Sequence, residues 1–230
     1  DEEEIIMEKV IVKNRDVVVP GEVLAEGMGF VPGDGTYREG DNVRAARLGL
    51  MGVDGKVVKL TPLAGPYVHK VNDRIIARVK DILMTGWRID TNSAYSAVLG
   101  LAEATSDFIP RGADLKQYFD IDDWVICKIS KVTSQKLIDV SMKGPGLRKL
   151  IGGRVIKVNP AKVPRIIGKE GSMISLIKEG TGADIQVGQN GFLWIKAEPE
   201  KDPKVEAAIR KIEAEAHLPG LTEKVKELFK

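Results

Sequence analysis

The chain has 230 residues, more than one average domain, so two or three small domains are expected. Hydrophobic residues make up 43% of it, enough for real cores, yet no run approaches the ~18 apolar residues that a helical membrane span requires. No signal peptide is recognisable, and the single cysteine, Cys127, rules out an internal disulfide, so a cytoplasmic location is expected. Cys127 sits in the strand-like run Trp124-Val125-Ile126-Cys127-Lys128-Ile129 and reads as a small buried hydrophobe rather than a nucleophile. Asn and Gln total ten against 68 charged side chains, a balance that leans toward thermophile composition.

The net charge of +2 says little about partners, but its distribution says more. Residues 1–66 carry 8 basic and 12 acidic side chains, residues 67–144 carry 11 and 10, and residues 145–230 carry 16 and 11. The basic excess therefore lies at the C-terminal end, where phosphate would be met, and the acidic N-terminal part suits protein contacts better than nucleic acid.

In residues 1–66, Val17-Val18-Val19-Pro20-Gly21-Glu22 reads as a strand ended by a Pro-Gly turn. Residues 27–36 form a glycine-dense loop. Glycines line phosphate-binding loops, but no Gly-Lys-Ser/Thr follows and no strand–loop–helix context surrounds this one, so tight turns are the reading. Residues 43–52 then alternate into residues 57–63, which predicts a small all-β sandwich or barrel.

Residues 67–144 read as five short strands at 73–80, 86–90, 94–99, 122–129 and 137–143, with a long third connection. That spacing, closed by a "φ-x-φ-Ser-φ-Lys" strand, resembles the S1-type OB fold, a barrel that binds single strands by a basic groove and stacked aromatics. Arg88 stands where such barrels place an aromatic, and no histidine is found around Leu99-Gly100-Leu101. Trp87 is thus left open between core and stacking platform. Lys80, Arg88, Arg111, Lys116 and Lys131 remain as candidates for steering an RNA backbone, together with Lys136.

Residues 145–230 carry the strongest motif. Ile166-Ile167-Gly168-Lys169-Glu170-Gly171-Ser172-Met173-Ile174 sets a Gly-x-x-Gly turn between two helix-like runs. Glycines allow the chain to turn tightly beside a phosphate, and the next helix aims its free N–H groups at the same anion. Lys169 adds a cation at the tip, and Arg165 lies one turn before it. A strand at 153–158 precedes the motif, and Asn159-Pro160 marks a helix start. A helix is expected from about 172 to 179, with Gly180 as its left-handed C-terminal residue. Strands at 184–187 and 192–196 flank Gly188-Gln189-Asn190-Gly191, whose Asn-Gly pair is a hairpin signal because both residues accept positive φ. A helix over 203–216 follows, with Val205, Ile209 and Ile212 on one stripe. The order β-α-α-β-β-α around Gly-x-x-Gly identifies an α+β KH domain of the eukaryotic type (type I), which clamps about four nucleotides.

Three features occur together: Val-x-Pro-Gly-Glu with Gly-Asp-Gly-Thr near the N-terminus, an S1-type barrel, and a KH module carrying Gly-Gln-Asn-Gly. Together they resemble the KH-containing cap subunit of the archaeal RNA exosome, the ribosomal RNA-processing protein four family, over essentially the whole chain. The resemblance implies a multidomain, non-catalytic protein without cofactor or metal. Residues 1–66 would dock on a hexameric ring of RNase PH-like subunits, residues 67–144 would form an S1-type barrel by the entry pore, and residues 145–230 an outward KH domain. Three such caps would feed single-stranded RNA to 3′ to 5′ phosphorolysis. Gly168, Lys169 and Gly171 match the KH clamp, while Glu170 sets an anion beside it. Gly188, Asn190 and Gly191 match the family's Gly-x-Asn-Gly mark, which looks structural, packing against the barrel. On that reading Asn190→Ala strains the fold, since alanine tolerates positive φ poorly.

Two other classes stay in view. A nuclease would need clustered carboxylates with a metal, or paired histidines. His69 and His217 lie in different domains, Asp122-Asp123 is the only adjacent aspartate pair, and Asp1-Glu2-Glu3-Glu4 reads as a frayed terminus. A free S1/KH factor of transcription or translation would lack the N-terminal unit and the Gly-x-Asn-Gly hairpin.

Overall fold

A computed structural model describes residues 9–110, 112–216 and 220–229. The chain divides into two compact units, Asp1–Gly65 and Pro66–Lys230. The expected frayed terminus at residues 1–4, and the positions of Arg111 and His217, lie outside the described residues.

The first unit is all β. One four-stranded sheet runs in the order β1 (Lys9–Val10), β3 (Val23–Glu26), β6 (Asn42–Ala45), β5 (Thr36–Glu39). The other runs β2 (Val17–Val18), β7 (Gly49–Asp54), β8 (Val57–Pro62), β4 (Val31–Pro32). Alternation along β8 buries Val58 and Leu60 and leaves Val57, Lys59 and Thr61 outside. These side chains meet Val18, Leu24, Val43, Ala45 and Met51 in a small core. The expected strand 17–22 stops at Val18, because Val19 N–H bonds to Glu22 Oε2 at 2.9 Å and starts the Pro-Gly turn early. The expected run 43–52 is broken at residues 46–48, where Ala46 N–H turns aside to Gly35 O and the chain changes sheets. The glycine-dense loop is a set of turns pinned to β8: Gly33 N–H donates to Val58 O at 2.8 Å, and Thr36 Oγ1 reaches the same carbonyl.

The second unit begins with a closed five-stranded barrel. Strands β9 (Arg74–Leu83), β10 (Gly86–Asp90), β11 (Ala97–Gly100), β13 (Ile138–Ser141) and β12 (Trp124–Val132) pair in that order, and β12 returns to β9. The β11–β13 pairing is parallel, as an OB-type closure requires. The third strand starts at Ala97, not residue 94, because residues 91–95 form a turn in which Thr91 Oγ1 donates to the Tyr95 carbonyl. The long connection, which includes α1 (Leu101–Ala104), packs Ile109, Leu115 and Phe119 into the barrel core. Trp87 belongs there too. It is fully buried, donates Nε1–H to Phe119 O at 2.9 Å and meets the Phe119 ring edge-on, so it is core and not a stacking platform.

A short strand, β14 (Arg148–Leu150), extends the barrel sheet along β12. The chain then forms β15 (Arg154–Lys157), α2 (Val163–Ile167), α3 (Ser172–Thr181), β16 (Asp184–Val187), β17 (Phe192–Lys196), α4 (Asp202–Glu215) and α5 (Leu221–Lys226). The sheet order β15-β17-β16 is antiparallel throughout, and the helices bury Val163, Ile166, Met173, Ile177, Val205, Ile209 and Ile212 against it. Asn159 caps the first turn, accepting from Ala161 N at 3.0 Å. Two local readings are corrected. Gly180 lies inside α3, and Gly182, at φ +71°, is the left-handed cap. What position 180 needs is space, since a Cβ there would stand 2.7 Å from the Phe229 ring. At the β16–β17 turn only Gly191 has positive φ, so Asn190 does not adopt the conformation the hairpin signal predicted.

Cys127 sits at zero exposure in the barrel wall, and burial pushes its thiol up to about 12. At pH 8 the thiolate fraction is then of order one in ten thousand. Iodoacetamide should therefore leave the folded protein unlabelled and modify it only after denaturation, as read by mass. Labelling of the native chain at the denatured rate would contradict this packing.

Candidate nucleic-acid interface

The Gly-x-x-Gly loop joins the end of α2 to the start of α3. α2 ends at Gly168, whose N–H bonds back to Pro164 O at 3.0 Å. A Cβ at Gly168 (φ +76°) would lie 2.7 Å from the Met173 backbone nitrogen, so only glycine admits the close turn into α3. Glu170 and Gly171 continue at φ +53° and +81°, and Ser172 starts α3 directly. No side chain caps that start, and the Ser172 N–H closes a tight turn on Lys169 O. Lys169 is exposed at the tip. Arg165, Gly168, Lys169 and Ser172 line one depression of about 350 Å³ with Pro164, Thr222 and others. Among the described residues neither Arg165 nor Lys169 has an ion-pair partner, whereas Glu170 projects beside them as an exposed carboxylate. Two cations without ion-pair partners beside a glycine turn are chemically suited to an anion.

The barrel cations are arranged differently. Lys80 pairs with Asp90 at 3.3 Å, and Arg88 reaches Asp81 at 3.9 Å across the β9–β10 pair. Lys116 stands exposed on a single 3-10 turn held by Asp114, and Lys131 is exposed on β12. Exposed ion pairs leave Lys80 and Arg88 only part of their charge. Asp122 and Asp123 are likewise engaged, with Arg78 and Lys149 respectively. Among the described residues no group of three His, Cys, Asp or Glu side chains is placed to hold a metal. No described helix is long and apolar enough to cross a membrane.

The Gly188–Gly191 turn lies against the barrel. β10 covers β9 only from Arg78 onward, leaving the edge at Ile76 open. Asn190, fully buried, fills that edge as a peptide group would: Oδ1 accepts from Ile76 N at 3.2 Å, and Nδ2 donates to Ile76 O at 2.7 Å and to Thr91 O at 2.8 Å. Asn92 Nδ2 donates to Asn190 O, and Gln189 N–H to Arg74 O. A Cβ at Gly188 would stand 2.6 Å from Ile76 N, so the turn approaches the strand at backbone distance. Around it, Ile76, Ile126, Leu150 and Trp194 form a separate buried cluster, with Trp124 edge-on to Phe192 at 5.2 Å and Arg148 paired to Asp184 at 3.1 Å. Sequence reasoning missed Thr91, Asn92 and this aromatic cluster. Its signals were the Thr-Asn-Ser turn after β10 and the Phe and Trp that alternate in β17.

His69 extends the same network. Thr91 Oγ1 gives its proton to Tyr95 O and so accepts from His69 Nε2 at 2.8 Å. Burial holds the His69 imidazole below its ordinary 6.5; Asp73 pulls it up and Lys136 pushes it down.

Two outcomes follow from this seam. Asn190→Ala strands Ile76 N, Ile76 O and Thr91 O in a dry site, a loss of about 3 kcal/mol. Calorimetry should show a lower Tm, while affinity for a short oligonucleotide at the Gly168–Gly171 loop holds; unchanged melting with lost affinity would reverse the assignment. For His69, the lowered folded pKa means the unfolded chain binds more protons, so its contribution is full above 6.5 and lost as pH falls below it. Replacing it with Gln should flatten the decline in Tm between about pH 7 and pH 5.

Comparison with known proteins agrees with this construction. A family described as "KH domain" matches residues 153–201, and one described as "Exosome complex exonuclease RRP4 N-terminal region" matches residues 17–54. The chain is 38% identical over 227 residues to exosome complex component Rrp4 of Pyrococcus furiosus, spanning 97% of this chain and 86% of that protein. It is 40% identical over 220 residues to that of Methanothermobacter thermautotrophicus, spanning 96% and 70%. A crystal structure provisionally assigned as an exosome complex RNA-binding protein superposes with a TM-score of 0.65 at 27% identity, over 72% of this chain and 95% of its own. With relatives of this identity and coverage, and with the two family models matched at its N-terminal unit and KH module, this chain belongs to the Rrp4 family of exosome complex components.

Proposed function

We propose that this protein is a non-catalytic cap of the exosome, which captures single-stranded RNA in the cytoplasm and feeds it to a hexameric RNase PH-like ring for 3′ to 5′ degradation and processing. Residues 1–66 dock on the ring, residues 67–144 lie by the entry pore, and residues 145–230 take hold of the strand, with three such caps per complex. The observation that carries the reading is the loop at Gly168–Gly171, where Arg165 and Lys169 stand without acidic partners among the described residues around a depression of about 350 Å³.

The clamp works on the backbone. Gly168 and Gly171 bring the chain within reach of a phosphate, and Lys169 and Arg165 neutralise its charge. None of these groups reads a base, so the hold is sequence-tolerant. Glu170 weakens a single clamp, and tight capture arises from several clamps on one strand in the trimeric cap. Lys80, Arg88, Lys116 and Lys131 of the barrel, with Arg111, steer the strand by charge, Lys80 and Arg88 less so because of Asp90 and Asp81. Gly188, Asn190 and Gly191 serve by holding the KH module on the barrel.

The test is RNA decay by an RNase PH-like hexamer from the same source, with and without this protein, alongside the protein alone and the complex mass by light scattering. A ring-sized complex that degrades RNA faster, with no decay by this chain alone, is the expected result. Lys169→Glu should weaken RNA capture about tenfold and reduce the salt slope by roughly one. Decay by the chain alone, or absence of a complex, would overturn the cap reading; an unchanged salt slope would overturn the clamp.

A further inference from the structure

The seam between barrel and KH module contains a reactive pair of residues. Asn190 is followed by Gly191, and glycine carries no Cβ to hinder attack of its backbone nitrogen on the preceding side-chain amide. In the folded protein both reacting groups are engaged. The Nδ2 protons go to Ile76 O and Thr91 O, Oδ1 accepts from Ile76 N, and Gly191 N–H donates to Gly188 O at 3.1 Å. Asn190 has zero exposure, so solvent base has no path to the pair.

We infer that Asn190 is a latent deamidation site kept closed by the barrel, so that parting of the KH module from the barrel becomes irreversible when it lasts long enough. Once the seam opens, the Gly191 nitrogen gives its proton to solvent base and bonds to Cγ of Asn190. The Cγ–Nδ2 bond breaks, and Nδ2 takes up a proton from water and leaves as ammonia, closing a five-membered succinimide. Water then adds to either carbonyl of that ring and reopens it to aspartate or to its β-linked isomer. One water enters and one ammonia leaves, with no change of oxidation state.

Neither product fits the seam again. A carboxylate only accepts, so Ile76 O and Thr91 O lose their donors and face a like-charged oxygen instead. The β-linked isomer also lengthens the backbone between β16 and β17 by one methylene, where Gly188 N–H and Phe192 O now hold the turn at 2.8 Å.

The experiment uses the full chain, held at one temperature and one mildly alkaline pH, in native buffer and in guanidinium, followed by peptide mass mapping. Position 190 should gain one mass unit in guanidinium and do so at least about a hundredfold more slowly in the native protein, in proportion to the open fraction of the seam. Trp194→Ala, which loosens the seam cluster, should narrow that gap. Equal rates in native and denatured protein overturn the proposal. Asn190→Asp is the second arm. Refolding with the parent's Tm overturns the claim that the product is rejected; a lower Tm that recovers as pH falls, or failure to fold, supports it. The recovery has a definite sign, because a protonated carboxyl among carbonyls regains one donor below its raised pKa.

Discussion

The barrel leaves one backbone edge unpaired, and the arrangement of the second unit depends on how it is closed. β12 pairs with β9 from Arg74 to Arg78, and β10 pairs with it only from Arg78 on, so Ile76 exposes an N–H and a C=O on its far side. An open edge of that kind is costly when buried and prone to mispairing when exposed. Here a side chain from a turn 114 residues away supplies both partners. Because the Asn190 amide presents one acceptor and two donors in a plane, it saturates Ile76 and Thr91 together, which no aspartate, serine or alanine would do.

With that edge closed, the rest of the seam follows from packing. Trp194, Ile76, Ile126 and Leu150 exclude water from the amide, and the low polarity strengthens its hydrogen bonds. β16 and β17 are thereby fixed to the barrel at their turn. The Gly168–Gly171 loop, between α2 and α3, takes no part in the seam and keeps its cations exposed. The module thus treats its two turns differently: the β16–β17 turn is consumed in structure, and the α2–α3 turn stays exposed. Both turns use glycine for a close approach, one to a barrel strand and the other to the first turn of α3.

Charge is divided in the same manner. The basic excess read from residues 145–230 is partly spent internally, since Arg154 pairs with Asp202 and Glu206, Arg148 with Asp184, and Arg210 with Glu206 and Glu213. Neutralised pairs of this type tie β15 to α4 and do little for a polyanion. Arg165 and Lys169 are among the cations left without an ion-pair partner among the described residues, so a count of charges along the chain overstates the number available for phosphate contacts.

Much of this was legible in the sequence. Period-two alternation marked the barrel and KH strands, and the Gly-x-x-Gly between two apolar runs marked the α2–α3 turn, because both signals are set by neighbours within a few residues. Family likeness added what periodicity lacks, the expectation that Gly188, Asn190 and Gly191 face the barrel. The fate of Trp87 was not legible, nor were the pairings of Lys80 and Arg88, the break at residues 46–48, or the true backbone angle of Asn190. Each is decided by a contact across strands: Phe119 O for Trp87, Asp90 and Asp81 for the cations, Gly35 O for the break, Ile76 for the asparagine. By itself the sequence determined which segments form strands, helices and the tight loop, since propensity and spacing act locally. Only the tertiary structure decided which polar and aromatic side chains are consumed inside and which stay free, because that depends on partners brought together from distant parts of the chain.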